Sequence, residues 1–476
     1  MKQSIQAKQW KLVLGGELRD SEKTIPVRSP YDDQTVAEIY LASFETLKRS
    51  VDLACEGFEK TRKLEAFERS EILLKIRDGI AKRKKEFAEL LCLEAGKPIK
   101  DATREIERSM LTFEVAAEEA KRVGGEFLDL SIAPLGKGRH GIYRPFPIGP
   151  ILCITPFNFP LNLVAHKLAP AIAVGSSFIL KPASQTPLCA LKLAEVILEA
   201  GYPPLAVNVL PCESKHIEPL MQDERIKMLS FTGSPVVGWK LKAQAGKMKV
   251  ALELGGNAGV IIDETADITL AAQRCSVGAF SYAGQTCISV QRIYVHESVM
   301  RPFTDQLLTH IRKIKSGDPM DESTDLGPMI DENAAKRSET WIAEAVNQGA
   351  KLLNGGKRNG KFIEPTVLMD VTRDMKVTCE EVFAPLLTLS PFTDFREAIE
   401  AVNDSRYGLQ AGVFTNRLDH VNEAYSELEV GGVLINEIPT WRIESMPYGG
   451  IKDSGFGREG VRYAMQEMSE GKLLVF

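Results

Sequence analysis

From Phe44 onward, apolar residues recur at helical spacing. Leu47, Val51, Ala54 and Phe58 predict a helix over about 44–63. A second helix is expected over about 66–95, with Ile72, Leu73, Ile76, Ile80, Phe87, Leu90 and Leu91 on its inner face. Gly96-Lys97-Pro98 ends it, glycine then proline past the last turn. A third is expected over roughly 101–123, with Asp101 as N-cap. Residues 10–40 alternate polar and apolar between turns at Gly15-Gly16 and Ser29-Pro30, a short β lead-in. Residues 126–130 and 140–145 read as two strands joined by a glycine-rich link, a hairpin suited to an arm reaching another subunit.

From Gly149 the pattern becomes strand, helix, strand, helix. Strands are expected at 150–155, 177–180, 207–210, 227–231 and 250–254, with helices at 161–174, 187–200, 214–222 and 235–245. Short apolar strands alternating with helices predict a parallel, doubly wound α/β sheet, whose ligands bind beyond the carboxyl ends of the strands. A second α/β region follows from about 257 to 450, with a long helix around 334–349 and strands near 293–295, 386–388, 412–414 and 432–436. The apolar tail 471–476 is expected to pair in a sheet with the arm of another subunit.

A chain of 476 residues is too long for one small core, so two or three domains are expected. Apolar content of 44% with 26% charged residues is that of a soluble globular protein. A net charge of -5 gives no electrostatic reason to expect nucleic acid or an anionic membrane as partner. The first eight residues lack the apolar core of a signal peptide, and no run of 18 apolar residues predicts a spanning helix. Eight scattered cysteines without a CxxC pair point to a reduced, cytoplasmic protein. Six dispersed histidines without HExxH spacing give a metal site little support.

The candidate chemistry sits just after the predicted strands. Thr155-Pro156-Phe157-Asn158-Phe159-Pro160 is a turn stiffened by two prolines, with Asn158 either an Asx-turn residue or an oxyanion donor. Lys181, in Lys181-Pro182-Ala183-Ser184, is either solvated or placed for ribose hydroxyls or a phosphate. In Phe231-Thr232-Gly233-Ser234, Gly233 permits close approach, Ser234 can cap the next helix, and free N–H groups suit a pyrophosphate. Glu253, before Leu254-Gly255-Gly256, is either a surface turn residue or a water-activating base whose pKa is raised by burial. Cys287 closes Gly284-Gln285-Thr286-Cys287, ahead of a strand-like run. A lone cysteine is more often a small buried apolar side chain, but a thiolate here would be a strong nucleophile.

Together these stretches closely resemble the aldehyde dehydrogenase superfamily. In order they are TPFNFP at 155–160, KPAS at 181–184, FTGS at 231–234, ELGG at 253–256, GQTC at 284–287, EEVFAP at 380–385 and PYGGIKDSGFGREG at 447–460. The likeness covers nearly the whole chain, and the motif order makes it specific. It implies that Cys287 attacks the aldehyde, Asn158 and the Cys287 N–H hold the oxyanion, hydride passes to a nicotinamide, and Glu253 activates the water that hydrolyses the thioester. It places Lys181 at the adenosine ribose, Ser234 at the pyrophosphate, Glu381 at the nicotinamide ribose and Phe383 near the ring. Thr155, Pro156, Phe157, Ser184, Gly233 and Gly255 complete the expected NADP or NAD site. The implied fold is α/β, with a Rossmann-type cofactor domain at 1–120 and 150–254 and an α/β catalytic domain at 255–455. An oligomerisation arm and tail fill 121–149 and 456–476, in a homodimer or homotetramer.

Five departures from the usual pattern stand out. Ser184 stands where NAD-preferring members often carry glutamate, which removes a repulsion of the 2′-phosphate, so NADP is expected to be accepted or preferred, or NAD retained. Ala384 replaces a common glycine, and Tyr448 replaces a common phenylalanine, adding a hydroxyl to the pocket. Phe159 replaces a histidine of phosphonate-active relatives. Thr286 replaces an arginine of phosphate-specific ones. The stretch 436–447 resembles members that oxidise lactaldehyde and similar small polar aldehydes. Phe159, Thr286, Trp441, Arg442 and Tyr448 are expected around the substrate. Arg104 and Arg108 share a helix face and, with Arg442, either anchor an anionic substrate group or form surface salt bridges. Lactaldehyde or a similar short hydroxyaldehyde leads, with glyceraldehyde 3-phosphate and succinic semialdehyde open. Rival readings are an acyl transfer to CoA, which Glu253 argues against, a plain cysteine hydrolase, and a non-catalytic protein on this fold.

Overall fold

The computed structural model describes residues 8–476. The expectation about a signal segment in the first eight residues falls almost wholly outside that range. Eight strands form one sheet, ordered in space Gly455–Phe456, Lys249–Glu253, Met228–Thr232, Ile151–Ile154, Phe178–Lys181, Val207–Val209, Leu12–Leu14, Glu17–Arg19. The five central strands are parallel, and antiparallel strands flank them at both edges. They agree closely with the strands expected from periodicity, because each is a short apolar run buried on both faces.

Strand order sets where the site lies. After Ile151–Ile154 the chain builds outward through Phe178–Lys181 and Val207–Val209, then returns to lay Met228–Thr232 on the other side of the first strand. The loops leaving Ile151–Ile154 and Met228–Thr232 therefore diverge, which opens a crevice at the carboxyl end of the sheet.

The second region holds seven strands in the order Lys351–Asn354, Thr366–Met369, Leu386–Phe392, Arg292–His296, Gly259–Ile262, Gln410–Phe414, Gly432–Ile435. All neighbours are parallel except the first pair. Each large sheet has its own apolar core, one centred on residues such as Leu73, Phe113 and Leu180, the other on Ile293, Phe303 and Leu389.

Four local expectations change. The helix expected over 66–95 is two, Ala66–Lys82 and Lys84–Ala95, because Arg83 leaves helical geometry (φ −110°, ψ 18°) and turns its guanidinium to Glu199 at 2.6 Å. Asp101 is not an N-cap. Its helix, Ile99–Arg122, starts after Pro98, and the Asp101 carboxylate accepts from the Tyr282 N–H at 3.3 Å instead. The tail strand Ser469–Val475 pairs with this chain's own arm strand, His140–Pro147, in register from Ser469↔Pro147 to Val475↔Gly141. Helix Val461–Glu467 packs Val461 and Met465 into the first core and delivers Ser469 opposite Pro147, so the nearest open edge is intramolecular. That helix also shows that part of the stretch read as tail belongs to the body. Glu126–Asp129 completes the three-stranded arm.

No helix among the described residues is long and apolar enough to cross a membrane.

Candidate active site

The Cys287 loop starts where helix Ile268–Phe280 ends. Tyr282 (φ 48°), Ala283 (φ 54°) and Gly284 (φ 66°) are consecutive left-handed residues that reverse the chain. Such a conformation costs a non-glycine residue roughly 1–2 kcal/mol, so it has to be held. The Tyr282 hydroxyl donates to the Ala95 carbonyl at 2.9 Å, and the Ile330 N–H donates to the Gln285 side-chain oxygen at 2.8 Å. At Gly284 a Cβ would stand 2.2 Å from the Ala384 carbonyl oxygen, so the loop can be this close only as glycine. At Gly256 a Cβ would lie 2.5 Å from the Cys287 carbonyl oxygen. The glycine pair after Glu253 thus lets that strand end press against the Cys287 loop.

Three strand-end groups meet there. The Cys287 sulfur lies 3.3 Å from the Tyr448 hydroxyl, and burial pushes the thiol up to about 12, opposed by that hydrogen bond. Glu253 is the last residue of its strand, and its Oε2 is buried without a partner among the described residues. Burial, reinforced by the Glu459 carboxylate, holds the Glu253 carboxyl well above its ordinary range, against the pull of Arg442 and Lys167. The Asn158 Nδ2 donates to the Gln285 carbonyl at 3.0 Å, while its Oδ1 has no partner among the described residues.

Two cavities open on this centre. One, of about 290 Å³, is lined by Pro156, Phe157, Gly233, Ser234, Gly255, Glu381 and Phe383, and reaches Asn158, Glu253 and Cys287. The other, of about 250 Å³, is lined by Arg104, Arg108, Phe159, Thr286, Trp441 and Arg442. Cys287 faces the first and its neighbour Thr286 the second. Tyr448 stands between them, its hydroxyl on the sulfur and its ring under the Arg442 guanidinium at 3.7 Å.

Thr155, Lys181 and Ser184 line neither cavity. Lys181 is buried, its ammonium donating to the Pro182 carbonyl at 3.4 Å. Ser234 occupies the N-cap position of helix Pro235–Gln244 but makes no side-chain capping bond, contrary to its expected role. The first helical residue is Pro235, which has no N–H, and Ser234 itself lines the first cavity. The Glu381 carboxylate accepts from the Gly256 N–H at 3.0 Å, and burial raises its pKa to about 7.

Several working residues were not singled out in the sequence. Lys97, read only as part of a helix stop, is fully enclosed. Its ammonium pairs with Glu105, donates to the Asn158 carbonyl at 2.8 Å, and lies 3.7 Å and 4.3 Å from the ring centres of Phe159 and Tyr282. Glu105 also accepts from the Leu161 and Asn162 N–H groups. Beyond Arg108 and Arg442 lies a buried chain of charges. Glu444 accepts from Arg108 at 2.9 Å and contacts His166 at 2.5 Å; Glu459 takes Lys167 at 3.2 Å and Arg442 at 3.4 Å. Burial raises the Glu444 pKa, but His166, Arg108 and Arg442 outweigh it and hold the carboxyl well below its usual range. The available signal was His166-Lys167 inside the otherwise apolar helix Asn162–Val174. Among the described residues, no group of three or more His, Cys, Asp or Glu side chains is placed to hold a metal ion.

Comparison with known proteins agrees with this geometry. The family model described as "Aldehyde dehydrogenase family" matches residues 18–474, and the chain belongs to that family. It is 44% identical over 471 residues to 3-sulfolactaldehyde dehydrogenase of Priestia aryabhattai, covering 99% of this chain and 98% of that protein. It superposes with a TM-score of 0.97 and 44% identity on aldehyde dehydrogenase 21 of Physcomitrella patens, crystallised with the reaction product succinate, covering 99% of each chain. Glyceraldehyde-3-phosphate dehydrogenase GapN of Methanocaldococcus jannaschii, complexed with NADP, matches at a TM-score of 0.91 and 38% identity, over 96% of this chain and 99% of that one. The protein is an oxidoreductase acting on aldehydes, and its family uses NAD or NADP. The first cavity fits the nicotinamide end of such a dinucleotide: a carboxylate beside glycines that leave it room, and a path to the sulfur.

The raised Glu253 pKa has a testable sign. A carboxyl whose folded pKa exceeds its unfolded value adds stability below the unfolded value, about 4.3, and loses it as pH rises through the folded one. Glu253→Gln is therefore expected to gain thermal stability relative to wild type as pH is raised from about 4 to 8. A constant difference in Tm across that range would show the carboxyl to be unshifted.

Proposed function

We propose that this enzyme oxidises a short aldehyde of the lactaldehyde type that carries a sulfonate or carboxylate at its far end. The observation that carries this reading is the Arg442 guanidinium. Its side chain is only 4% exposed, it lines the second cavity, and its Nε is buried without a partner among the described residues. A buried, unpartnered cationic N–H in a cavity wall is costly unless an anion meets it. Arg108 lines the same cavity, held by Glu444. The relatives named above act on, or were crystallised with, small anionic compounds. Thr286 beside the nucleophile leaves a phosphate less well served than a sulfonate or carboxylate.

In this reading Cys287 attacks the aldehyde carbon, forming the S–C bond of a thiohemiacetal. Asn158 Nδ2 leaves the Gln285 carbonyl to meet the new oxyanion, together with the Cys287 N–H. A bound NADP or NAD supplies the hydride acceptor. With the dinucleotide bound, Glu381 would hold the nicotinamide ribose, Phe383 and Phe157 would wall the ring, and Ser234 would face the pyrophosphate. Glu253 then takes a proton from water, the hydroxide attacks the thioester, and Cys287 leaves as thiolate. A carboxyl lifted by burial suits this task near neutral pH. Arm apolar groups Ile132 and Leu135, 94% and 97% exposed, are covered in a homodimer or homotetramer.

Three outcomes test this. Short anionic aldehydes such as 3-sulfolactaldehyde and succinic semialdehyde are expected to exceed neutral lactaldehyde in kcat/KM by about tenfold or more, and Arg442→Met to erase that margin; best activity on long aliphatic aldehydes would sink the proposal. Ser184→Glu is expected to lower the NADP-to-NAD ratio of kcat/KM by about tenfold or more, and an unchanged ratio would remove Ser184 from cofactor choice. Ending the chain at Met468 is expected to yield a smaller assembly by light scattering, whereas an unchanged mass would place the subunit contact elsewhere.

A further inference from the structure

Tyr448 is set by a two-way backbone bridge to Glu459: the Tyr448 N–H donates to the Glu459 carbonyl at 2.9 Å, and the Tyr448 carbonyl accepts from the Glu459 N–H at 2.6 Å. The residue is 4% exposed, and its ring packs with Ile288 and Leu409 against Cys287. Its hydroxyl, 3.3 Å from the sulfur, is the one side-chain hydrogen-bond partner of Cys287 among the described residues. The other side of the ring is covered by the Arg442 guanidinium at 3.7 Å from the centroid.

We propose that Tyr448 is a catalytic residue, whose hydroxyl donates a hydrogen bond to the Cys287 thiolate and whose donor strength is raised by the arginine stacked on its ring. The requirement comes from the charges around the sulfur. When ionised, the Glu253 and Glu381 carboxylates disfavour a thiolate at Cys287, and Arg442 is the cation that favours one. Arg442 is also held by Glu459 and is needed for the substrate's anionic end. A cation on a ring face withdraws electron density electrostatically, so the phenol carries part of the arginine's influence to the sulfur without the guanidinium leaving its cavity. Burial opposes the thiolate most strongly, and the tyrosine hydrogen bond is the largest effect working the other way.

The phenol keeps its proton throughout. The thiol proton leaves to solvent water, the sulfur lone pair forms the S–C bond, and the sulfur then loses its charge and its hold on the hydroxyl. When water cleaves the thioester, the departing thiolate regains the same donor. A phenylalanine at this position would preserve the packing and the arginine stacking but lack the donor.

This rests on Cys287 being the nucleophile, so the test separates the two. In the full-length protein, without aldehyde or cofactor, the rate of iodoacetamide alkylation at Cys287 is followed against pH by peptide mass mapping, for wild type and Tyr448→Phe. The midpoint is expected to rise by about one pH unit in the variant, the size of one lost hydrogen bond to a charged group. Its kcat/KM near neutral pH is expected to fall about tenfold with little change in KM. An unchanged alkylation midpoint overturns the proposal, as does a variant altered only in KM, which would make Tyr448 a pocket wall. Retained turnover in Cys287→Ala would instead overturn the nucleophile assignment, a result the Tyr448→Phe titration cannot mimic.

Discussion

Taking an ammonium group out of water costs several kcal/mol unless it is paired and hydrogen-bonded, and Lys97 carries one that is completely enclosed. Glu105 supplies the countercharge, the Asn158 carbonyl accepts a hydrogen bond, and the rings of Phe159 and Tyr282 present their faces. These partners come from both loops of the site. Asn158 and Phe159 leave the first central strand, while Tyr282 begins the turn that ends in Cys287. One buried cation therefore keeps the amide and the sulfur in register. Glu105 extends the clamp by accepting from the first N–H groups of the following helix.

Close approach of backbone to backbone is the second constraint. The Cys287 loop touches the carbonyl of Ala384 at Gly284, and the strand end carrying Glu253 touches the Cys287 carbonyl at Gly256. Gly255 leaves space of the same kind for the Glu381 carboxylate, whose Oε2 would stand 2.5 Å from an added Cβ. Three segments far apart in the chain meet within contact distance because two of them lack side chains there. The left-handed backbone at Tyr282 and Ala283 is strain these contacts maintain.

Charge arrangement divides the two cavities by task. Around Glu253 and Glu381 burial dominates, and both carboxyls are raised. Around Glu444 and Glu459 cations dominate, and both carboxyls are lowered. The first pair suits proton transfer and neutral hydrogen bonding, the second a fixed negative frame that orients arginines. Arg442 stands at the junction, stacked on Tyr448, so the charge frame of one cavity borders the sulfur of the other.

Strand and helix periods, and the loops that follow strands, are properties of short windows. For that reason the central sheet, the helices between its strands, and the loops bearing Asn158, Glu253, Cys287 and Glu381 were legible in the sequence. Motif order made the family legible as well. Pairings between distant segments were not. The tail's partner depended on where helix Val461–Glu467 sets it down, and Asp101 could be assigned to Tyr282 rather than to a cap only once helix and loop were side by side. Lys97 read as punctuation because nothing local distinguishes a solvated lysine from an enclosed one. Burial, and with it the raised Glu253, the unpartnered Arg442 Nε and the Tyr448 contact with Cys287, is created by neighbours that only the tertiary structure brings together.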